Sequence, residues 1–122
     1  NIHTDSNLYQ KVITYLSSHF KEDIYLKSVA RHFGYNEKYL SHTIHNLTGV
    51  SFRKLLNFYR VENAKLMFDE GETSISAVAT ESGFSALNSF NRIFKEFTGN
   101  TPSEYKRNKE KLLHRLMQEF FC

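Results

Sequence analysis

The chain has 122 residues, 40% of them hydrophobic, and 16 Lys and Arg against 13 Asp and Glu give it a formal net charge of +3. This length allows one domain or two very small ones, and the hydrophobic content suffices for a packed core. The mild excess of positive charge is compatible with a polyanionic partner such as nucleic acid.

Cysteine usage and hydropathy restrict the setting further. Cys122 is the only cysteine, so a disulfide framework is excluded and a reducing compartment fits. No apolar run approaches the roughly 18 residues that a membrane span needs, and no signal peptide is evident. The composition therefore favours a cytoplasmic protein without a membrane segment.

Apolar side chains at three-four spacing predict three helices in the first fifty residues. Their predicted bounds are 8–20, 26–33 and 37–47. Asp5 or Ser6 is placed to cap the first helix, and Asn36 to cap the third. Gly34 and Gly49 follow the second and third helices, where a residue that tolerates positive φ is expected.

A longer helix and a second set of short helices follow. Residues from Phe52 to about Asp69 carry one apolar stripe and no linker-like composition, which predicts a stiff connector helix. The next helix starts after Thr73 or Ser74, and another runs from about 86 to 97. Thr101-Pro102-Ser103-Glu104 combines a cap, a proline at the first helical position and a glutamate three residues past the cap. This capping box is a specific signal for a helix start.

The second half of the chain repeats the first. At an offset of 49, Ala30 matches Ala79 and Gly34 matches Gly83. After a one-residue insertion in the second turn the offset becomes 50, and the matched pairs are Leu40 with Phe90, Ile44 with Phe94, Leu47 with Phe97, Gly49 with Gly99 and Ser51 with Thr101. Each copy has an alanine four residues before its turn glycine, where two helices of a helix-turn-helix cross closely. Two copies are too few for a solenoid, so we predict a duplicated helix-turn-helix rather than an array.

The predicted architecture is all-α, with two helix-turn-helix subdomains joined by the connector helix and about seven helices in total. The predicted segments are 1–50 for the first subdomain, 51–70 for the connector, 71–107 for the second subdomain and 108–122 for an amphipathic extension. The extension allows an extra C-terminal helix, with an apolar stripe at Leu112, Leu113, Leu116, Met117 and Phe120. Two interpretations of this stripe stay open: it packs back on the domain, or it contacts a second copy or a partner domain.

The outward faces of the second helix of each copy supply the candidates for reading bases. A helix in the major groove contacts base edges with the N-terminal half of its exposed face. The candidates are Lys38, Ser41 and His42 in the first copy and Leu87, Asn88, Asn91 and Arg92 in the second. Arg can grip guanine, Asn can grip adenine and Leu can meet a thymine methyl, so the second helix is predicted to carry more direct specificity. A polar helix face that is merely solvated is the alternative.

A further set of residues is placed to contact the DNA backbone. These candidates are Asn36, Tyr39, Arg60, Ser89, Lys95, Lys106 and Arg107. Phosphate contacts add salt-dependent affinity and fix register without specifying sequence. Lys106 and Arg107 belong to the densest basic run of the chain, whereas Arg60 on the connector is equally compatible with a solvent-facing position.

Three stretches resemble the DNA-binding domain of the AraC/XylS family of bacterial transcription regulators. GFSALNSFNRIFKEFTGNTPSEYKR resembles the second helix-turn-helix signature of that family, LKSVARHFGYNEKYLSHTIHNLTGVSF the first, and RVENAKLMF the connector helix. The resemblance covers about residues 8–107. The family often has Arg where His42 stands, and it usually has Arg after the last motif's tyrosine, where Lys106 stands here.

The resemblance implies a fold, a partner and a set of contacts. It implies seven helices in two subdomains bridged by a long helix, with two recognition helices entering adjacent major-groove segments of double-stranded DNA. By position it assigns base readout to Lys38, Ser41, His42, Asn88, Asn91 and Arg92. It also implies an upstream sensing or dimerisation domain in the full-length protein, and RNA polymerase is a further candidate partner.

Other chemistry finds little support in the sequence. His42 and His45 have a spacing seen in metal sites, but no cysteine or carboxylate cluster accompanies them. No glycine-rich phosphate loop or nucleophile arrangement is present, so we expect no enzyme activity, no metal and no cofactor. The rival hypothesis is a helical protein-interaction module without specific DNA binding, supported by the aromatic content and the apolar tail.

Overall fold

The computed structural model describes residues 2–121, with side chains from residue 7 onward. All regular secondary structure in this range is helical. The helices are α1 (Ile2–His19), α2 (Leu26–Phe33), α3 (Glu37–Thr48), α4 (Phe52–Asp69), α5 (Ile75–Glu81), α6 (Leu87–Thr98) and α7 (Pro102–Phe121). The predicted all-α fold with about seven helices is confirmed.

The two ends of the chain differ from the sequence expectation. The helix α1 begins at Ile2, so Asp5 and Ser6 lie inside it and neither is its cap. Their side chains, like Cys122, lie outside the described part of the chain. At the other end, residues 108–121 continue α7 without a break, so the amphipathic extension is the second half of one 20-residue helix.

The chain divides into two compact units, which we call unit 1 (Asn1–Arg60) and unit 2 (Val61–Cys122). The boundary falls inside α4, within the segment predicted as the connector. The first part of α4 therefore belongs to unit 1 and its last part to unit 2.

Unit 1 is built on the packing of α1, α2 and α3 with the start of α4. Its fully buried side chains include Leu8, Val12, Leu16, Val29, Leu40, Ile44 and Leu56. Leu47, predicted to face inward, is 43% exposed, whereas Thr43 is 3% exposed. The buried stripe of α3 therefore passes through Leu40, Thr43 and Ile44, and its last turn extends beyond the core.

Unit 2 has a more aromatic core. Phe90 and Phe94 of α6 are completely buried, and their ring centroids lie 5.5 Å apart. Phe84 lies 5.0 Å from Phe90, and Tyr105 of α7 packs edge-on against Phe94 at 5.4 Å. Tilted and edge-on ring pairs of this kind stabilise a core beyond the area that they bury.

The repeat extends to individual hydrogen bonds. In unit 1 the N–H of Tyr35 donates to the carbonyl of Ala30 at 2.9 Å, and in unit 2 the N–H of Phe84 donates to that of Ala79 at 3.0 Å. The intervening glycines have φ angles of 75° and 100°, which any other L-residue adopts with strain. Ala30 and Ala79 are both buried, as the close crossing of two helices requires.

The ends of α3 and α6 are also built alike. The Thr48 hydroxyl donates to the Ile44 carbonyl at 2.7 Å, and the Thr98 hydroxyl donates to the Phe94 carbonyl at 2.9 Å. The predicted capping box at the start of α7 is confirmed: the Glu104 N–H donates to the Thr101 hydroxyl at 3.2 Å, and the Thr101 N–H donates to the Glu104 carboxylate at 3.4 Å.

Candidate nucleic-acid interface

In unit 1 the core leaves one side of α3 free. Since Leu40, Thr43 and Ile44 face inward, the opposite side of the helix faces solvent. The exposed residues on this side are Lys38, Ser41, His42 and His45. All three predicted base-reading residues of unit 1 therefore lie on one accessible helical surface.

In unit 2 the arrangement on α6 is similar. Phe90 and Phe94 anchor the helix, and Leu87, Asn88 and Arg92 are exposed on its other side. Asn91 is half-buried beside them. An apolar side chain, two amides and a guanidinium thus lie on the N-terminal two turns of α6, the part of a recognition helix that meets base edges.

The starts of the two helices differ in capping. The Asn36 side-chain oxygen accepts hydrogen bonds from the N–H groups of Lys38 and Tyr39 at 2.8 and 3.2 Å. The corresponding position before α6 is Ala86, which makes no side-chain cap hydrogen bond. The first N–H groups of α6 consequently lack the side-chain acceptor that α3 has, and the N-terminus of a helix attracts anions.

Both α3 and α6 also contain a polar pair one helical turn apart. The Asn46 side-chain amide lies 3.0 Å from Nε2 of His42. In α6 the Nη1 of Arg92 lies 3.4 Å from Oε1 of Glu96. Sequence analysis did not single out Asn46 or Glu96, although their four-residue spacing is the signal that identifies such pairs.

Arg60 does not lie on the exposed face of α3 or of α6, and its predicted contact with the DNA backbone is wrong. The side chain is only 6% exposed, and its guanidinium donates from Nε to the Phe20 carbonyl at 2.8 Å and from Nη2 to the Glu22 carbonyl at 2.9 Å. Burial, followed by the nearby positive charge of Arg53, lowers the pKa of Arg60. Its role is to hold the chain after α1 against α4, and a guanidinium engaged in this way cannot reach a phosphate.

The other predicted backbone contacts remain accessible to different degrees. Tyr39, Lys95 and Arg107 are exposed, whereas Ser89 is half-buried. Lys106 is half-buried, and its ammonium donates to the Thr73 carbonyl at 2.9 Å.

Next to Lys106, Tyr105 and Lys109 both reach Asp69 at the end of α4. The Tyr105 hydroxyl donates to the Asp69 carboxylate at 3.2 Å, and the Lys109 ammonium lies 3.2 Å from it. Burial, with the charge of Asp69 second, raises the pKa of Tyr105. In unit 1 burial likewise raises the pKa of Tyr59. These contacts fix the start of α7 against the end of α4.

Neither a metal site nor a membrane span is found in the described part of the chain. The side chains described, from residue 7 to residue 121, include no cluster of three or more His, Cys, Asp or Glu that could hold a metal ion. None of the helices described is both long and apolar enough to cross a bilayer.

The helical fold and the sequence both match those of known helix-turn-helix proteins. The model of the helix-turn-helix domain family matches residues 29–108. The structure of the C-terminal domain of AraT, a response regulator from Geobacillus stearothermophilus, superposes with a TM-score of 0.79 at 30% identity, covering 83% of this chain and 84% of that one. The chain belongs to the AraC-type helix-turn-helix family. It is thus a DNA-binding domain of the kind found in transcription regulators.

Two further comparisons show how far the AraC-type likeness extends. An uncharacterised helix-turn-helix transcriptional regulator of Staphylococcus aureus is 36% identical over 99 residues, which are 81% of this chain but only 13% of that protein. The DNA-binding domain of the global transcriptional factor AdpA, solved with a target DNA, has the same fold at 20% identity, with a TM-score of 0.76 and coverage of 81% and 89%. The chain therefore corresponds to a small part of the length of its curated relatives.

Proposed function

We propose that this chain is the sequence-specific DNA-binding domain of a bacterial AraC/XylS-type transcription regulator, with α3 and α6 entering adjacent major-groove segments of double-stranded DNA. The observation that carries the proposal is the exposed N-terminal face of α6, where Leu87, Asn88 and Arg92 lie opposite two fully buried phenylalanines. A helix held this firmly presents its polar face with little conformational freedom, as base readout requires.

Base readout is assigned to both helices, with unequal weight. In α6, Arg92 pairs with guanine, Asn88 and Asn91 with adenine, and Leu87 contacts a thymine methyl. In α3, Lys38, Ser41 and His42 occupy the corresponding face. Since lysine and serine form less selective contacts than bidentate arginine or asparagine, α6 contributes more of the direct specificity.

Backbone contact is assigned to residues around these faces. Arg107 and Lys95 offer exposed positive charges, and Tyr39 and Ser89 offer hydroxyls. The amide N–H groups at the uncapped start of α6 offer a further phosphate position. Asn36 and Lys106 join this set, although each already has one intramolecular hydrogen-bonding role.

The full-length protein is proposed to contain more than DNA-binding machinery. The Staphylococcus aureus relative is much longer than this chain, which matches 13% of it. We propose an upstream sensing or dimerisation domain that controls DNA binding in the cytoplasm. Contact with RNA polymerase is proposed as the route by which the bound protein acts on transcription.

The proposal is tested by selecting binding sites from a random-sequence DNA pool with the purified chain and an electrophoretic shift. We expect one enriched motif, binding that weakens steeply with salt, and a cost of about 1–3 kcal/mol for a mismatch at a contacted base pair. A pool without enrichment after repeated rounds would contradict specific recognition.

A protein-interaction module is the second candidate, because α7 leaves a large apolar surface in solvent. The exposed fractions of Leu112, Leu113, Leu116, Met117 and Phe120 range from 41% to 79%. Apolar surface on this scale marks interaction sites in soluble proteins. Failure of the DNA selection together with binding of a protein partner through these side chains would favour this candidate.

A further inference from the structure

The polar pairs on the two recognition helices occupy the same places in the repeat. His42 and Arg92 are matched at the offset of 50, and so are their partners Asn46 and Glu96. Each pair spans one helical turn, with distances of 3.0 Å in α3 and 3.4 Å in α6. The residue types differ, but in both helices a central base-reading candidate is held by the side chain one turn further from the N-terminus.

The contact with Glu96 uses one nitrogen of the Arg92 guanidinium. Since the carboxylate takes Nη1, the edge formed by Nε and Nη2 keeps two parallel donors. Two parallel N–H groups are what the O6 and N7 acceptors of guanine accept. The pair thus restrains a long, flexible side chain and leaves a recognition edge open.

Helix stability does not account for this pair. An arginine followed four residues later by a glutamate is the weaker order for an ion pair on a helix. The two side chains are 64% and 60% exposed, and exposed ion pairs contribute little to folding. A carboxylate beside a DNA-facing helix also repels phosphates, so it lowers affinity for all sequences.

We infer that Glu96 is a positioning residue that sets the specificity of Arg92, an inference that rests on the proposed function. By holding the guanidinium in place before binding, it reduces the side-chain freedom that must be lost when Arg92 grips its base pair. Its negative charge weakens binding to specific and random DNA alike. The positioning of Arg92 is therefore the effect that increases the ratio between specific and random binding.

Asn46 has the matching role in α3. Its side-chain amide nitrogen lies 3.0 Å from Nε2 of His42, so the contact restrains the orientation of the imidazole ring. Asn46 carries no charge, so it adds no repulsion of phosphates, and its effect on binding to random DNA is expected to be smaller than that of Glu96.

The test uses the DNA site selected above and variants of it at the base pair that responds to Arg92→Ala. Glu96→Gln removes the charge, and Glu96→Asp keeps the charge but shortens the reach to Arg92. We expect both variants to lower discrimination at that one base pair by about three- to tenfold, a partial loss of what a bidentate arginine provides. Only Glu96→Gln is expected to bind random DNA more tightly, because only it removes the negative charge.

Lys95→Gln is the matched control, since it changes the neighbouring exposed charge on the same helix. It is expected to weaken binding to all sequences alike while leaving discrimination unchanged. In an Arg92→Ala background, Glu96→Asp should no longer change discrimination, because the residue through which it acts is gone.

Unchanged discrimination by Glu96→Asp at the Arg92-dependent base pair would overturn the role of Glu96 while the proposed function stands. The same loss with and without Arg92 would also overturn it, because Glu96 would then act by another route. If no site is enriched in the first selection, the proposed function fails and this inference fails with it.

Discussion

Units 1 and 2 each contain a helix-turn-helix of the same design. They differ in the side-chain contacts that connect it to the rest of the unit. In unit 1 a buried Arg60 donates to two backbone carbonyls after α1. In unit 2, Tyr105 and Lys109 contact Asp69 at the end of α4, and Lys106 donates to the Thr73 carbonyl; all three side chains are more exposed than Arg60. Within the helix-turn-helix itself, both units have alanine, glycine and threonine at matched positions.

This difference separates what the fold needs from what each copy is free to change. A small residue at the helix crossing and a glycine with positive φ are steric requirements, so both copies keep them. The contacts that hold α4 and its neighbours together, the helix caps and the outward-facing positions are not restricted in this way. They differ in residue type, and the outward faces of α3 and α6 differ most at the positions proposed to read bases.

The largest effect is expected from breaking the Arg60 tie. Arg60→Ala should destabilise unit 1 by about 2–3 kcal/mol, because two carbonyls lose a charged donor and the buried aliphatic stem is removed. Urea denaturation followed by circular dichroism measures the change in the free energy of unfolding. Lys106→Ala is the control in unit 2, and its cost should stay below about 1 kcal/mol because that side chain is half-exposed. Equal losses of unfolding free energy in the two variants would contradict the expected difference between the Arg60 and Lys106 contacts.

The two recognition faces should differ in specificity. Asn91→Ala with Arg92→Ala is expected to reduce the preference for the selected site over random DNA by about 10- to 100-fold. The matched pair Ser41→Ala with His42→Ala should reduce it less, because hydroxyl and imidazole contacts are less selective. Competition binding with site variants measures both. A larger loss from the α3 pair would reverse the assignment of specificity to α6.

A smaller difference in stability is expected from the N-terminal caps of α3 and α6. Asn36→Ala should cost about 1 kcal/mol, since the N–H groups of Lys38 and Tyr39 lose their acceptor. Ala86→Asn should stabilise the chain by a similar or smaller amount, because Ala86 already has the extended backbone of a cap residue, with φ −134° and ψ 134°. Thermal unfolding gives both values. No gain from Ala86→Asn would indicate that the start of α6 is already satisfied.

Much of the fold could be predicted because its signals are local. The bounds of α2, the Asn36 cap and the Thr101–Glu104 capping box each depend on a few adjacent residues whose chemistry allows one structure. The turn glycines of the two copies could be found in the same way, and the repeat supported each copy with the other.

The failures concern contacts between distant residues. An arginine is usually exposed, and the burial of Arg60 depends on carbonyls 40 and 38 residues earlier in the chain. Leu47 has the right spacing for a core position, but spacing does not say where the neighbouring helices end. The pair of Arg92 and Glu96 was within reach of sequence analysis, since only the four-residue spacing of opposite charges was needed.

The last contrast is between α4 and α7, which start at matched positions of the repeat. After Arg60, α4 continues with Val61, Ala64 and Phe68, which are buried in the core of unit 2. The matched positions of α7 are Lys111, His114 and Gln118, all exposed. The apolar side chains of α7 instead lie one or two positions away. Three of them, Leu112, Leu113 and Leu116, line a cavity of about 420 Å³ beside Phe68 and Gly71. The second half of α7 is therefore not the start of a third copy.

Truncation after Arg107 tests what this half-helix does. We expect the free energy of unfolding to change by less than about 1 kcal/mol, because every described side chain from 108 to 121 is exposed. Urea denaturation checks this, and light scattering at rising concentration compares self-association of the full and truncated chains. A loss above about 2 kcal/mol would mean that the helix packs back on unit 2 and stabilises it. Unchanged stability together with lost self-association would assign its apolar face to a contact with a second copy, since nothing in unit 2 would then depend on it.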